Sequence, residues 1–135
     1  MRFHTEKRGI RVLGIAESFR KTSTCSTLAG IVMRRDRIID GMVFGNVTIE
    51  GNDSTQNILS MYRSLKRNDI NCIMLDGLII SMYNIIDGQE LRDNTNVPVI
   101  AITFKDSRTR RYYTTSLSRR RQQQIRTISQ TRAKI

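Results

Sequence analysis

A change of hydrophobic period near residue 54 constrains the fold of this chain more than any other feature of its sequence. Before it, apolar, β-branched runs at residues 10–17, 28–34 and 38–50 are joined by short polar segments. Such runs predict three strands, paired in sequence as an antiparallel meander. After it, apolar residues recur at helical spacing, so residues 54–67 are predicted to form a helix whose apolar face carries Ile58, Leu59, Met61, Tyr62 and Leu65.

The pattern then alternates between strands and helices. Residues 71–75 are apolar after Asn71, as expected for a strand in a parallel setting with both faces covered. Residues 78–91 are predicted to contain a short helix, and residues 97–104 a last strand. The third strand is expected to be bulged at Gly41 or Gly45. The predicted fold is α/β, with a five-stranded mixed sheet made of three antiparallel strands and then two α/β units. This is the ribonuclease H-like arrangement, although the pattern also permits other α/β topologies.

Charge divides the chain into two parts. The net charge is +11, yet acids and bases nearly balance up to residue 104, whereas residues 105–135 hold ten Lys or Arg and the single acid Asp106. We therefore predict a domain at residues 1–106 and a mobile basic tail at residues 107–135. A packed terminal helix or a shift of reading frame near residue 106 would also fit this composition. Such a tail would contact phosphate without regard to sequence, through Arg108, Arg110, Arg111, Arg119, Arg120 and Arg121.

The sequence lacks the residues that are characteristic of several functional classes. Cys25 and Cys72 are far apart and His4 is the only histidine, so we expect two small buried thiols, with no zinc site and no Ser-His-Asp triad. The glycines match neither a phosphate loop nor a dinucleotide fingerprint, so no small-molecule cofactor is predicted. Arg2 and Lys7 interrupt the first residues, and no apolar run is long enough to span a bilayer. A cytoplasmic protein without a membrane partner is therefore expected.

Three acids stand at the ends of predicted elements. Glu17 closes the first strand, Asp53 opens the helix and Asp76 closes the fourth strand. In a ribonuclease H-like sheet the first and fourth strands are parallel neighbours, so Glu17 and Asp76 would emerge side by side with Asp53 above them. Clustered carboxylates are the oxygen ligands of Mg²⁺ or Mn²⁺, and such a centre activates water for attack at phosphorus. Asn84 and Asp87 are candidates for residues that support these ligands from just outside them.

Each acid also has a purely structural explanation. Asp53 and Gln56 match the Asp-x-x-Gln capping box at a helix start. Asp76 and Gly77 form a common turn pair. A lysine or arginine partner would satisfy Glu17, and Asn84 and Asp87 would be equally suited to a helix surface. The spacing of these residues therefore leaves both explanations open.

Six short motifs resemble those of one archaeal family. The family has been catalogued as domain of unknown function ninety-nine, is related to endonuclease V, and has been described as endonuclease dU. The resemblance covers about residues 7–106 and implies a nuclease that nicks beside deoxyuridine in DNA with a divalent metal. The motifs are RVLGIAESF (11–19), AGIVMRR (29–35), IDGMVFG (39–45), DIN (69–71), LDG (75–77) and YNIID (83–87).

The resemblance also implies roles for the three acids. Glu17 occupies the place of an acid at the end of the first strand, where some relatives have an Asp pair and this chain has Ala16. Asp53 matches the first acid of the family's Asp-Ala-Thr-Asp, with Gln56 in place of the last, and Asp76 matches the Asp-Gly that holds the metal in endonuclease V. Family members continue with further helices and strands, so the resemblance implies a domain truncated on its C-terminal side.

Three functional hypotheses follow. The leading one is a Mg²⁺- or Mn²⁺-dependent endonuclease that nicks deoxyuridine-containing DNA during repair, with the base flipped out of the duplex for inspection. The second is a nucleic-acid-binding module, or a shortened member of the family, without catalytic activity. The third is a fragment whose folding is compromised. Cutting, binding without cutting, and a broad thermal melt would distinguish the three.

Overall fold

The computed structural model describes residues 9–20 and 22–102, and the statements below concern these residues. Five strands form one sheet in the order β3-β2-β1-β4-β7, while β5 and β6 pair separately as a small hairpin. In chain order the elements are β1 (Arg11–Ser18), β2 (Cys25–Arg34), β3 (Ile39–Thr48), α1 (Ser54–Ser64), β4 (Cys72–Leu75), β5 (Ile79–Ile80), β6 (Asn84–Ile85), α2 (Gly88–Thr95) and β7 (Val99–Ala101).

The strand directions confirm the predicted mixed sheet. β2 is antiparallel to both β1 and β3, whereas β4 is parallel to both β1 and β7. The order places β1 in the centre, so β1 and β4 are parallel neighbours as the ribonuclease H-like arrangement requires. The predicted tail, with its six arginines, lies outside the described residues.

Two segments differ from their predictions. The second strand was expected to begin at residue 28, but β2 begins at Cys25, which pairs with Thr48. The strand is three residues longer at its start because β3 is long enough to pair with them. Cys25 is exposed, contrary to the prediction, while Cys72 is buried as predicted, and burial raises the pKa of its thiol to about 11. Residues 78–91 contain the β5–β6 hairpin, and helix α2 starts only at Gly88.

The predicted bulge in the third strand lies beside Gly41. Val32 pairs with Gly41 whereas Met33 pairs with Ile39, so Asp40 is the extra residue in β3. A bulge of this kind turns the local side chains out of the regular alternation. Asp40 can therefore form ion pairs with Arg11, at the start of β1, and with Arg67, after α1.

An ion-pair network holds this bulge. Asp40 Oδ2 accepts from Arg11 Nε and, at 2.7 Å, from Arg67, which also pairs with Asp69 at 2.8 Å. Arg67 further donates to the Asp40 carbonyl oxygen at 2.8 Å. The hydrogen bond from Arg11, followed by the one from Arg67, lowers the pKa of Asp40, and the bond from Arg67 lowers the pKa of Asp69. The network ties β1, β3 and the segment before β4 together.

The helices cover one face of the sheet. Buried residues alternate along β1 and β2, and together with α1 they form a core that includes Leu13, Ile15, Leu28, Val32, Ile58, Leu59 and Ile73. Helix α1 approaches β3 closely at Gly45, where an added Cβ would lie 2.6 Å from Met61 Sδ and would force that side chain to shift. On the opposite face, Met42, Phe44 and Ile100 are between 42% and 64% exposed. The α1 and α2 helices therefore leave that face open within the described chain.

Helix ends follow local signals. Asp87 caps α2, accepting the Gln89 and Glu90 backbone N–H groups at 3.1 Å, and Asn96 ends the helix with φ 55° in the left-handed region. α1 ends at Ser64, three residues earlier than predicted. Neither helix of the described residues is long and apolar enough to cross a membrane.

Candidate functional site

The carboxyl ends of β1 and β4 form a shallow hollow. Ile15 pairs with Leu75 across these strands, and the Asp76 N–H donates to the Ile15 carbonyl oxygen at 3.2 Å. Glu17 and Asp76 both line the hollow, together with Ile80. The structure thus brings two of the three predicted acids to one place, at the strand ends where ligands commonly bind in open α/β sheets.

Glu17 is turned toward the protein interior. Strand alternation puts it on the same face as Leu13 and Ile15, which are buried. Its Oε1 and Oε2 accept the Ser81 N–H at 3.1 and 2.9 Å, and Oε2 also accepts the Ser81 hydroxyl at 2.8 Å and the Ser26 hydroxyl at 3.3 Å. The two serine hydroxyls are themselves in contact and almost fully buried. Serines therefore satisfy this carboxylate, where the sequence had allowed a lysine or arginine.

Asp53 precedes α1 but does not cap it. Its Oδ1 accepts the Thr48 N–H at 3.1 Å and the Asn84 amide at 2.8 Å, and its Oδ2 accepts the Thr48 hydroxyl at 2.8 Å. Burial raises the pKa of Asp53, but the hydrogen bonds from Thr48 and Asn84 outweigh it and lower the pKa overall. The capping-box explanation is wrong, since Asp53 makes no cap bond and Gln56 donates to Glu90 at 2.7 Å.

The side chain of Asn84 makes three hydrogen bonds and joins Asp53 to Thr48 and Ser54. It is fully buried; its Oδ1 accepts the Ser54 N–H at 3.2 Å, and its Nδ2 donates to the Thr48 carbonyl oxygen and to Asp53 Oδ1, each at 2.8 Å. Asn84 thereby satisfies the first backbone donor of α1, which Asp53 leaves without a side-chain partner. It contacts Asp53 directly, as a supporting residue would, whereas Asp87 is occupied in capping α2.

Asp76 differs from the other two acids. It is exposed, and it follows β4 directly, next to Gly77 with φ 88°. A turn at this point requires glycine, because φ in the left-handed region is unfavourable for other residues. Asp76 therefore takes part in a turn and also presents an exposed carboxylate in the hollow, so the two explanations are compatible.

Glu17, Asp53 and Asp76 are not grouped closely enough to bind one metal ion together. Within residues 9–20 and 22–102, no set of three or more His, Cys, Asp or Glu is placed to hold a metal ion. Glu17 and Asp53 use their oxygens for hydrogen bonds inside the protein, and only Asp76 presents its carboxylate outward. The described residues therefore do not fit a three-carboxylate centre, and the magnesium or manganese requirement stays a prediction.

Ser81 and Met82, which follow β5 in the turn of the hairpin, escaped the sequence analysis. Ser81 binds Glu17, and Ser81 and Met82 adopt positive φ values of 48° and 73° in succession. Two-residue strands are too short to give a periodic signal, and neither turn residue is glycine, which is the usual mark of this conformation. The contacts of Ser26 and Ser81 with Glu17 join positions far apart in the chain, so no local pattern reveals them.

Comparison with known proteins gives a family match. The sequence model of the Endonuclease dU family matches residues 8–135. A UPF0215 protein of Pyrobaculum calidifontis is 38% identical over 94 residues, covering 70% of this chain and 52% of that protein. A UPF0215 protein of Thermoplasma volcanium is 39% identical over 101 residues, covering 73% of this chain and 51% of that protein. The chain thus spans about half the length of the curated relatives it matches.

Solved structures show the same fold. A protein of unknown function from Archaeoglobus fulgidus is 25% identical with a TM-score of 0.72, covering 88% of this chain and 69% of that chain. Endonuclease V from Streptomyces avermitilis is 14% identical with a TM-score of 0.54, covering 73% and 47%. Endonuclease V from Ciona intestinalis, solved with inosine-containing DNA, is 12% identical with a TM-score of 0.50, covering 93% and 56%. These likenesses agree with the predicted ribonuclease H-like sheet.

Proposed function

Because the chain belongs to the endonuclease dU family, we propose that it acts on DNA as a nuclease-like protein, at positions where deamination has produced deoxyuridine. The observation that carries the proposal is the family match, which runs through residues 8–135. The endonuclease V structures support the same substrate class, since one of them was solved with DNA that contains inosine, another deaminated nucleoside.

The hollow at the ends of β1 and β4 is the proposed place of contact with the substrate. The base of deoxyuridine differs from its parent base at an edge that is paired inside a duplex, so a protein that inspects this edge must draw the base out of the stack. Asp76 would meet the extruded nucleotide, because it is the exposed acid of the hollow.

Asp76 would orient the attacking water. A carboxylate accepts a hydrogen bond from water and takes up its proton as the water oxygen bonds to phosphorus and the P–O bond to the leaving sugar oxygen breaks. Glu17 has a different task, since its oxygens hold the Ser81 backbone and hydroxyl. It would fix the wall of the hollow rather than touch the reacting atoms. No divalent ion is placed in this step, because the described acids do not group around one position. Whether the reaction needs such an ion is left to the nicking assay.

A nicking assay tests this proposal. A labelled duplex with a single deoxyuridine should give one discrete product with Mn²⁺, and none when EDTA is present. Asp76→Asn should abolish the product, because the amide neither carries the charge nor accepts the proton. Asp93→Asn is the matched control, since Asp93 is an exposed acid on α2. Equal cutting by Asp76→Asn, or equal cutting of a duplex with thymidine at that position, would contradict the proposal.

A second candidate function is binding without cutting. The observation that favours it is the internal use of Glu17 and Asp53, whose oxygens accept hydrogen bonds from Ser81, Thr48 and Asn84. In that case the deoxyuridine duplex should be bound but left intact with Mn²⁺. Asp76→Asn should then leave the affinity unchanged, and deletion of residues 105–135 should flatten its dependence on salt.

A further inference from the structure

We propose that the tip of the β5–β6 hairpin, formed by Met82 and Tyr83, contacts nucleobases and occupies the gap beside the extruded deoxyuridine. The inference rests on the proposed function, because it names the surface with which the same site would grip DNA. The proposed function gives Met82 and Tyr83 no role.

The tip lies next to the hollow. Ile80, the last residue of β5, lines the hollow together with Glu17 and Asp76. Ser81 follows it and binds Glu17 through both its N–H and its hydroxyl. Met82 is therefore only two residues along the chain from the wall of the hollow. A base drawn out of the duplex toward the hollow would leave a gap in the DNA stack near this tip.

The side chains of the tip are exposed although both are large and apolar. Met82 is 46% and Tyr83 is 47% exposed, whereas Ile80, Ser81 and Asn84 on either side are at most 6% exposed. Base faces stack on aromatic side chains with little regard to sequence. Apolar side chains such as methionine also enter base steps that have been unstacked. A methionine and a tyrosine presented together thus have the chemistry of a contact with bases.

The backbone on both sides of the tip is fixed. Glu17 accepts the Ser81 N–H at 2.9 Å, and the Ser81 carbonyl oxygen accepts the Glu50 N–H at 2.9 Å and the Tyr83 N–H at 3.1 Å. Asn84, which begins β6, is held in the buried network with Asp53. These hydrogen bonds hold the backbone on both sides of the tip, which reduces the ordering cost of binding.

The charge around the tip favours bases over phosphates. Glu50, whose backbone N–H donates to the Ser81 carbonyl oxygen, is an exposed acid. Its negative charge disfavours a phosphate at the tip itself, so the tip would gain little from phosphate contacts. Stacking on neutral bases releases few counterions, and its contribution to affinity should hardly change with salt. This separates the tip from any contribution of the basic residues 107–135.

Equilibrium binding of the full chain to a deoxyuridine duplex, with 2-aminopurine beside the lesion and EDTA present, tests the inference. Wild type should raise the 2-aminopurine fluorescence, which reports unstacking of that base. Tyr83→Ala and Met82→Ala should each weaken binding about tenfold and reduce the fluorescence rise. Tyr83→Phe, which keeps the ring, should behave as wild type. Phe44→Ala is the matched control, because Phe44 is 64% exposed on β3.

The outcomes separate this inference from the proposed function. Tip variants that bind and unstack like wild type, with deoxyuridine still preferred, would overturn the inference and leave the function standing. Tip variants that weaken binding to deoxyuridine and thymidine duplexes alike would support the contact while removing the deoxyuridine specificity. A loss of affinity that shrinks steeply with added salt would mean a phosphate contact and contradict the inference. Wild type that binds no DNA would overturn both.

Discussion

Asn84→Ala is expected to lower the free energy of unfolding by about 2–4 kcal/mol. The substitution removes three hydrogen bonds, made with the Ser54 N–H, the Thr48 carbonyl oxygen and Asp53 Oδ1. A buried group left without a partner costs roughly 1–3 kcal/mol. The N–H of the buried Ser54 would lose its side-chain partner. Thr48 is exposed and Asp53 is half-buried, so water can replace part of what these two lose.

Urea unfolding followed by circular dichroism measures this loss. Asn94→Ala is the matched control, because Asn94 is exposed on α2 and its amide donates to the Glu90 carbonyl oxygen within the same helix. An exposed substitution of this kind changes stability by about 0.5 kcal/mol or less. If Asn84→Ala costs no more than Asn94→Ala, the network around Asp53 does not stabilise the fold and the reasoning fails.

Asn84→Asp sharpens the same test. The new carboxylate would keep an acceptor for the Ser54 N–H but would face the Asp53 carboxylate where an amide now donates at 2.8 Å. Like charges at this distance disfavour ionisation of both groups. The variant should therefore be destabilised most at neutral pH and recover toward wild type as the solution is acidified. A deficit that does not depend on pH would show that the donated hydrogen bond is unimportant.

Three further predictions concern other contacts. Gly45→Ala should cost about 1–3 kcal/mol in urea unfolding because Met61 must shift away from the new Cβ, and unchanged stability would contradict the close approach of α1. The pKa values of Asp40 and Asp53 are lowered in the folded state. Their contribution to the stability of the fold is therefore present above the unfolded pKa of about 3.9 and is lost as the pH falls through the folded pKa values. A thermal midpoint that is flat from pH 6 to 2 would refute this. Glu17→Ala should speed hydrogen exchange at the Ser81 amide, and unchanged protection would show that the carboxylate does not hold the hairpin.

The sheet could be predicted because its signals are local. Apolar runs of strand length with short polar connections predicted the three antiparallel strands, and the apolar residues that follow Asn71 predicted a parallel strand. Glycine beside the extra residue Asp40 marked the bulge. The polar start of β2 was missed because Cys25 pairs with Thr48, a partner supplied by another strand. Hydrophobicity along one segment does not report such pairing.

The orientation of the acids could not be predicted in the same way. Strand order predicted that Glu17 and Asp76 would reach one edge of the sheet, and they line one hollow. Alternation places Glu17 on the buried face of β1, where two serines bind it. The capping pattern at Asp53 failed because its oxygens accept hydrogen bonds from Thr48 and Asn84, which lie outside α1. These outcomes depend on contacts over long sequence separations.

The central claim is that the carboxyl ends of β1 and β4, with the adjacent hairpin, meet the deaminated base. Photo-crosslinking to a duplex with a single 4-thiodeoxyuridine, followed by mass spectrometry of the joined peptide, tests this claim most directly. The account predicts that the base is attached within residues 76–83, which include Asp76, Met82 and Tyr83. Attachment confined to β3 or α2, with residues 76–83 unmodified, would contradict it.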